Sequence, residues 1–98
     1  MVEKTLNSAR NALLYQLLHD TRIAVGMTQV QLAERLKVHQ TEISRVERGI
    51  RRVDVLELHD FLEALGVPLL EFVIELEERL QAMKVRDRHV RPGSKVRR

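Results

Sequence analysis

The sequence predicts an all-α, compact five-helix fold, and three observations predict it. Glycines number four and prolines two, the only aromatics are Tyr15, Phe61 and Phe72, and the abundance of leucine, valine, glutamate and arginine favours helices. Two segments open with a capping-box pattern, Thr28 with Gln31 and Asp54 with Glu57. In such a box the first side chain takes an orphan backbone N–H of the new helix, and the second reaches back to the cap. Apolar residues recur at three- and four-residue spacing through most of the chain, the signature of core-facing helical stripes. A chain of 98 residues with 44% apolar content holds one small core, so a single domain is expected over residues 1–84. Residues 85–98 lack apolar periodicity and are expected to form a mobile basic tail.

The first helix is expected over Asn7–Val25, with Asn7 or Ser8 as its cap and Leu14, Leu17, Leu18 and Thr21 as its inward stripe. Leu6, Leu13 and Tyr15 lie off that stripe and are expected to cover the edge of the core, and Gly26 stops the helix. A second helix starts at Thr28 or Gln29, turns Leu32, Ala33 and Leu36 inward, and ends near Lys37. A third carries only two strongly apolar residues, Ile43 and Val46, three apart on one face. The fourth follows Asp54 and runs to Leu65, with Val55, Leu58, Phe61, Leu62 and Leu65 as a dense apolar face and Gly66 as its terminator. The fifth opens with Pro68 at its first helical position, where a missing N–H costs nothing, and continues to about Lys84 or a little beyond.

Helix five holds more apolar residues than one face can send into a small domain. Within it Leu69, Val73, Leu76, Leu80 and Met83 step by four, three, four and three, the spacing of a coiled-coil seam. A homodimer joined through these residues is therefore expected, with Phe72 and part of Leu69 still facing the domain's own core. The competing arrangement packs the whole set within one chain.

The stretch from Thr28 to Gly49 organises the rest. Opposite Ile43 and Val46, the third helix shows Gln40, Thr41, Ser44, Arg45 and Arg48 within one arc of about 140°. Glutamine can pair bidentately with adenine and arginine with the O6 and N7 of guanine, so this arc suits the reading of base edges. A merely solvated face usually mixes glutamate with lysine, whereas here Glu42 and Glu47 stand only at the flanks. Two helices joined by a tight turn, the second polar outward, make a helix-turn-helix.

The string Gly26 to Leu70, GMTQVQLAERLKVHQTEISRVERGIRRVDVLELHDFLEALGVPLL, resembles the Cro and lambda-repressor type helix-turn-helix family of bacterial and phage regulators (XRE-like). The likeness rests on a combination: Thr28-Gln29 opening a helix, Leu32-Ala33 within it, Gln40-x-x-Ile43-Ser44, the exit Glu47-Arg48-Gly49, and Ala64-Leu65-Gly66-Val67. It implies a lambda-repressor-like DNA-binding domain with the motif at helices two and three. It makes Gln40, Thr41, Ser44 and Arg45 the base-reading set and Gln29 a phosphate anchor at a helix N-terminus. Thr28, Lys37 and His39 lie along the same phosphate track, and Arg48, Arg51 and Arg52 would touch phosphates. The family also pairs an arginine late in helix one with the glutamate of the exit, here Arg22 and Glu47. Two positions depart from the pattern. Lys37 stands where a glycine usually makes the tight turn, at a cost of about 1 kcal/mol in the left-handed conformation. His39 replaces a Ser, Thr or Asp cap.

Charge is distributed to match. Residues 1–34 balance, residues 35–52 are net +4, residues 53–83 net −7 and residues 84–98 net +6. Positive charge thus collects around the motif and in the tail, the layout expected for a polyanion docking on one side. There is no cysteine, which excludes disulfides and thiolate zinc sites. His19, His39, His59 and His89 are too scattered for a metal motif, and no phosphate loop or nucleophile elbow is present. No metal, cofactor or enzymatic activity is expected. No apolar run approaches the roughly 18 residues of a membrane span, and no signal-peptide layout opens the chain, so a cytoplasmic protein is expected. The function expected is sequence-specific binding of double-stranded DNA in transcriptional regulation, as a dimeric repressor. The alternative is an antitoxin or adaptor whose fifth helix masks a protein partner, such as a toxin or another regulator, with DNA binding only for autoregulation.

Overall fold

The computed structural model describes the backbone of residues 2–87 and the side chains of residues 9–84. Its five helices are α1 (Val2–Val25), α2 (Gln29–Leu36), α3 (Gln40–Glu47), α4 (Val55–Leu65) and α5 (Leu69–Asp87), with no strand among the described residues. Both capping boxes form. The Gln31 N–H donates to Thr28 Oγ1 at 3.0 Å and the Thr28 N–H to Gln31 Oε1 at 2.9 Å. The Glu57 N–H donates to Asp54 Oδ1 at 2.8 Å and the Asp54 N–H to Glu57 Oε1 at 3.0 Å. Gly66 ends α4 in the left-handed conformation, with φ +79°.

α3 packs against α1 and α2, α2 also against α4, and α5 against α1 and α4. Leu18, Leu32, Ile43, Val46 and Leu62 are fully buried at the centre, and Tyr15, Leu17, Ala33, Leu58, Phe61, Leu65 and Phe72 close around them. Burying each large side chain contributes roughly 1.5–3 kcal/mol relative to leaving it in water. Truncating one at the centre, as in Ile43→Ala or Leu62→Ala, costs about 2–5 kcal/mol through lost transfer energy and the cavity left behind.

Several expectations need correcting. α1 does not start at Asn7 or Ser8 but runs back to Val2, because nothing between Val2 and Asn7 breaks a helix and an interior Asn or Ser costs only tenths of a kcal/mol. The side chain of Leu6 lies outside the described residues. Tyr15 is not edge cover: it is 3% exposed, and its hydroxyl accepts the Val53 N–H at 3.2 Å. With its polar end satisfied, the ring can be buried like a Phe. Thr21 satisfies its hydroxyl on the Leu17 carbonyl at 2.7 Å. Val55 is exposed in the first turn of α4, where nothing covers it. Pro68 precedes α5 rather than opening it, its carbonyl accepting the Phe72 N–H at 3.2 Å, a shift of one residue within the usual latitude of helix ends.

The seam on α5 is divided. Leu69 and Leu76 pack against the core around buried Phe72, Leu80 and Met83 are half-buried, and Val73 is exposed. The apolar stripe that reaches solvent is Leu70, Val73 and Ile74. Arg79 ties α5 to α1 through Asp20 at 3.2 Å, and α5 continues past Lys84 to Asp87. Of the expected basic tail, residues 88–98 lie outside the described residues.

Candidate nucleic-acid interface

The turn between α2 and α3 is built on Lys37, which takes φ +61° and ψ +44°. Its N–H meets the Glu34 carbonyl at 3.3 Å, and the Val38 N–H meets the Ala33 carbonyl at 3.0 Å. These bonds satisfy carbonyls that the end of α2 would otherwise orphan. His39 holds the N-cap position of α3 in an extended conformation and makes no side-chain capping bond. The cap is as weak as its chemistry suggests, and the His39 ring remains exposed beside the exposed Lys37.

Ile43 and Val46 anchor α3 completely, both at 0% exposure. Gln40, Thr41, Arg45 and Arg48 are exposed and Ser44 is half-buried, so the expected base-reading set is brought onto one face.

Behind that face lies a polar network centred on Glu47. Arg22 donates from Nε to Glu47 Oε2 at 2.6 Å and from Nη2 to Oε1 at 2.9 Å, and its Nη1 donates to the Met27 carbonyl at 2.8 Å. Both side chains are almost fully buried, at 7% and 4% exposure. His19 lies with Nδ1 3.0 Å from Glu47 Oε1, and because a carboxylate can only accept, this ring nitrogen is the donor. Gln29 Nε2 donates to the same oxygen at 3.0 Å. Burial pushes the Glu47 carboxyl up, but the hydrogen bonds from Arg22, His19 and Gln29 outweigh it and hold the carboxyl below its ordinary value. Gln29 passes the order outward: its Oε1 accepts from Gln40 Nε2 at 2.5 Å. A buried ion pair thereby orients the first side chain of the polar arc.

His19 and the double bonding of Gln29 were missed in the sequence. His19 stands three residues before Arg22 on α1, so their shared face was a usable signal. The reach of Gln29 across to Glu47 and Gln40 depends on how α2 and α3 cross, which no local pattern encodes.

Arg51 and Arg52, expected together as phosphate contacts, differ. Arg52 is exposed. Arg51 is held within the chain, with Nε 3.0 Å from Glu42 Oε1 and Nη2 2.9 Å from Glu57 Oε2, while Nη1 donates to the Arg52 carbonyl at 3.1 Å. The hydrogen bond from Arg51 also keeps the Glu57 carboxyl below its ordinary value. Elsewhere, His59, Asp60 and Glu63 bring donor atoms within 4.8 Å of one another on α4, a grouping the scattered histidines did not suggest. All three stand in solvent, and Arg35 and Lys37 line the surface shared by Asp60 and Glu63, which opposes a cation.

A family model described as helix-turn-helix matches residues 18–72, and a solved XRE-family like protein from Pseudomonas syringae pv. tomato superposes with a TM-score of 0.72 at 37% identity, covering 80% of this chain and 95% of that one. The chain belongs to the XRE-type helix-turn-helix family. The restriction-modification controller protein C.Esp1396I, solved as a tetramer in complex with its natural 35 base-pair operator, is also similar, with a TM-score of 0.65 and 26% identity over 70% of this chain and 91% of that one. Over 62 residues the chain is 36% identical to an uncharacterized transcriptional regulator in the ATPase CF(0) region of Rhodospirillum rubrum. That match takes in 63% of this chain and 57% of the relative. In this XRE-type chain the matched segment holds α2, the turn and α3 together with the Glu47 network. Among the described residues no helix is long and apolar enough to cross a membrane.

Proposed function

We propose that this XRE-type protein is a sequence-specific, double-stranded-DNA-binding regulator of transcription that works in the cytoplasm as a homodimeric repressor. The observation that carries the reading is the division of α3: Ile43 and Val46 are fully buried, while Gln40, Thr41 and Arg45 stand exposed on the other side. Such a helix is rigidly mounted and presents hydrogen-bonding groups of the kinds that discriminate base pairs in the major groove. Gln40, Thr41, Ser44 and Arg45 read bases. Thr28, Gln29, Lys37, His39, Arg48 and Arg52 meet the phosphates. The side-chain amide of Gln29 already serves Glu47 and Gln40, so its part is played by its backbone N–H, one of the first-turn donors that α2 cannot satisfy itself.

The dimer forms around Val73 with Leu70 and Ile74, the exposed stripe of α5, rather than through Leu69 and Leu76, which the core has taken. A twofold axis there sets two α3 helices against successive major grooves, roughly 34 Å apart. Occupying both grooves excludes other proteins from the site, which is the basis of repression. The solved controller protein in complex with its operator supports DNA as the partner. The test is selection of bound duplexes from a random library. A palindromic consensus is expected, and recovery of random sequence would refute base reading.

A further inference from the structure

Arg51 lies in the loop that leaves α3, among the basic residues a polyanion would meet first, yet each of its three guanidinium nitrogens is already engaged within the chain. Nε faces Glu42 on α3, Nη2 faces Glu57 on α4, and Nη1 donates to the Arg52 carbonyl. Its own N–H is bonded to the Arg45 carbonyl at 3.2 Å, so the residue is pinned at the backbone as well as at the fork. Glu57 is fixed in turn by the capping box of α4, where its other oxygen accepts the Asp54 N–H. We infer that Arg51 is a positioning residue, a two-carboxylate tie that fixes the recognition helix α3 against the start of α4 and neutralises Glu42 and Glu57 beside the DNA-facing surface, and that it makes no phosphate contact of its own.

The planar fork explains why arginine stands here. Its donors diverge in fixed directions and can serve two carboxylates at once, whereas an ammonium is a single compact charge. Glu42 lies in the first turn of α3 on the flank of the polar arc, and without Arg51 its charge would stand uncompensated there.

This inference rests on the DNA-binding reading above, so its test has one arm with DNA and one without. In the first, Arg51→Gln, Arg51→Lys and Glu57→Gln are compared with the wild type on the selected duplex and on a scrambled one across a salt series. Glutamine at position 57 preserves the capping box. A positioning role lowers affinity for the selected duplex about 3- to 10-fold more than for the scrambled one in all three variants and leaves the salt slope as it was. An equal loss on both duplexes overturns the inference, as does rescue by lysine or tighter binding by Glu57→Gln. Loss of about one unit of salt slope in Arg51→Gln overturns it too, since that is the mark of a phosphate contact. In the second arm, NMR titration of the free protein follows the Glu57 carboxyl, which should rise toward its ordinary value in Arg51→Gln. An unmoved carboxyl rejects the tie whether or not DNA is bound. If the wild type selects no sequence while the carboxyl does move, the DNA reading fails and the tie stands.

Discussion

At Glu47 a single carboxylate takes donors from Arg22, His19 and Gln29, and removing its charge should leave Arg22 buried without compensation. Breaking such a pair from one side costs about 3–5 kcal/mol. In a domain this small each kcal/mol lowers Tm by roughly 4–8 °C, so Glu47→Gln should melt at least 10 °C below the wild type, or roughly that, at neutral pH. The pH dependence follows from the depressed carboxyl. A group whose folded value lies below its unfolded one stabilises the fold fully above the unfolded value and loses that contribution as pH falls through the folded one. Wild-type Tm should therefore hold above the ordinary glutamate value of 4.5 and decline below it, whereas Glu47→Gln should lack this part of the decline. Melts from neutral pH down to pH about 3 would check it. Arg22 and Glu47 were legible in the sequence only through the family resemblance. The outward relay to Gln40 was not, because it depends on the crossing of two helices.

At the scale of elements, helix starts were legible where a side chain closes a ring with the backbone, as at Thr28 and Asp54. Such bonds are local, and the sequence contains both partners. Tyr15 was not legible, because its burial depends on an N–H thirty-eight positions away at Val53. The tight turn holds the one element-level strain. Lys37 is the only non-glycine residue at positive φ among the described residues, and Lys37→Gly should relieve about 1 kcal/mol of crowding. An increase of several degrees in Tm is expected, together with weaker binding to all DNA because a positive charge is lost. A Tm that fell would mean that the lysine side chain stabilises the turn in another way.

At the scale of the whole molecule, five helices were legible from periodicity, but the surface of the fifth only in part: Phe72 and Leu69 were expected to meet the core, Leu76 was not. A four-three repeat says which residues share a stripe, not whether core or solvent claims it, and here Phe72 draws Leu69 and Leu76 inward. Leu70→Glu with Ile74→Glu places charges on the exposed stripe without opening the core. Sedimentation should then show a folded monomer, and affinity for a palindromic site should fall by orders of magnitude because the two half-sites no longer bind as one. A variant that stayed dimeric would place the contact elsewhere. The assembly matters only if each α3 reads bases, and that is tested most directly by measuring Arg45→Ala against the wild type on the selected duplex and on a scrambled one. Loss of a bidentate arginine should cost about 1–3 kcal/mol on the selected duplex and relax preference at one base pair, with the scrambled duplex bound nearly as before. Equal loss on both duplexes, or no loss on either, would contradict base reading by this helix.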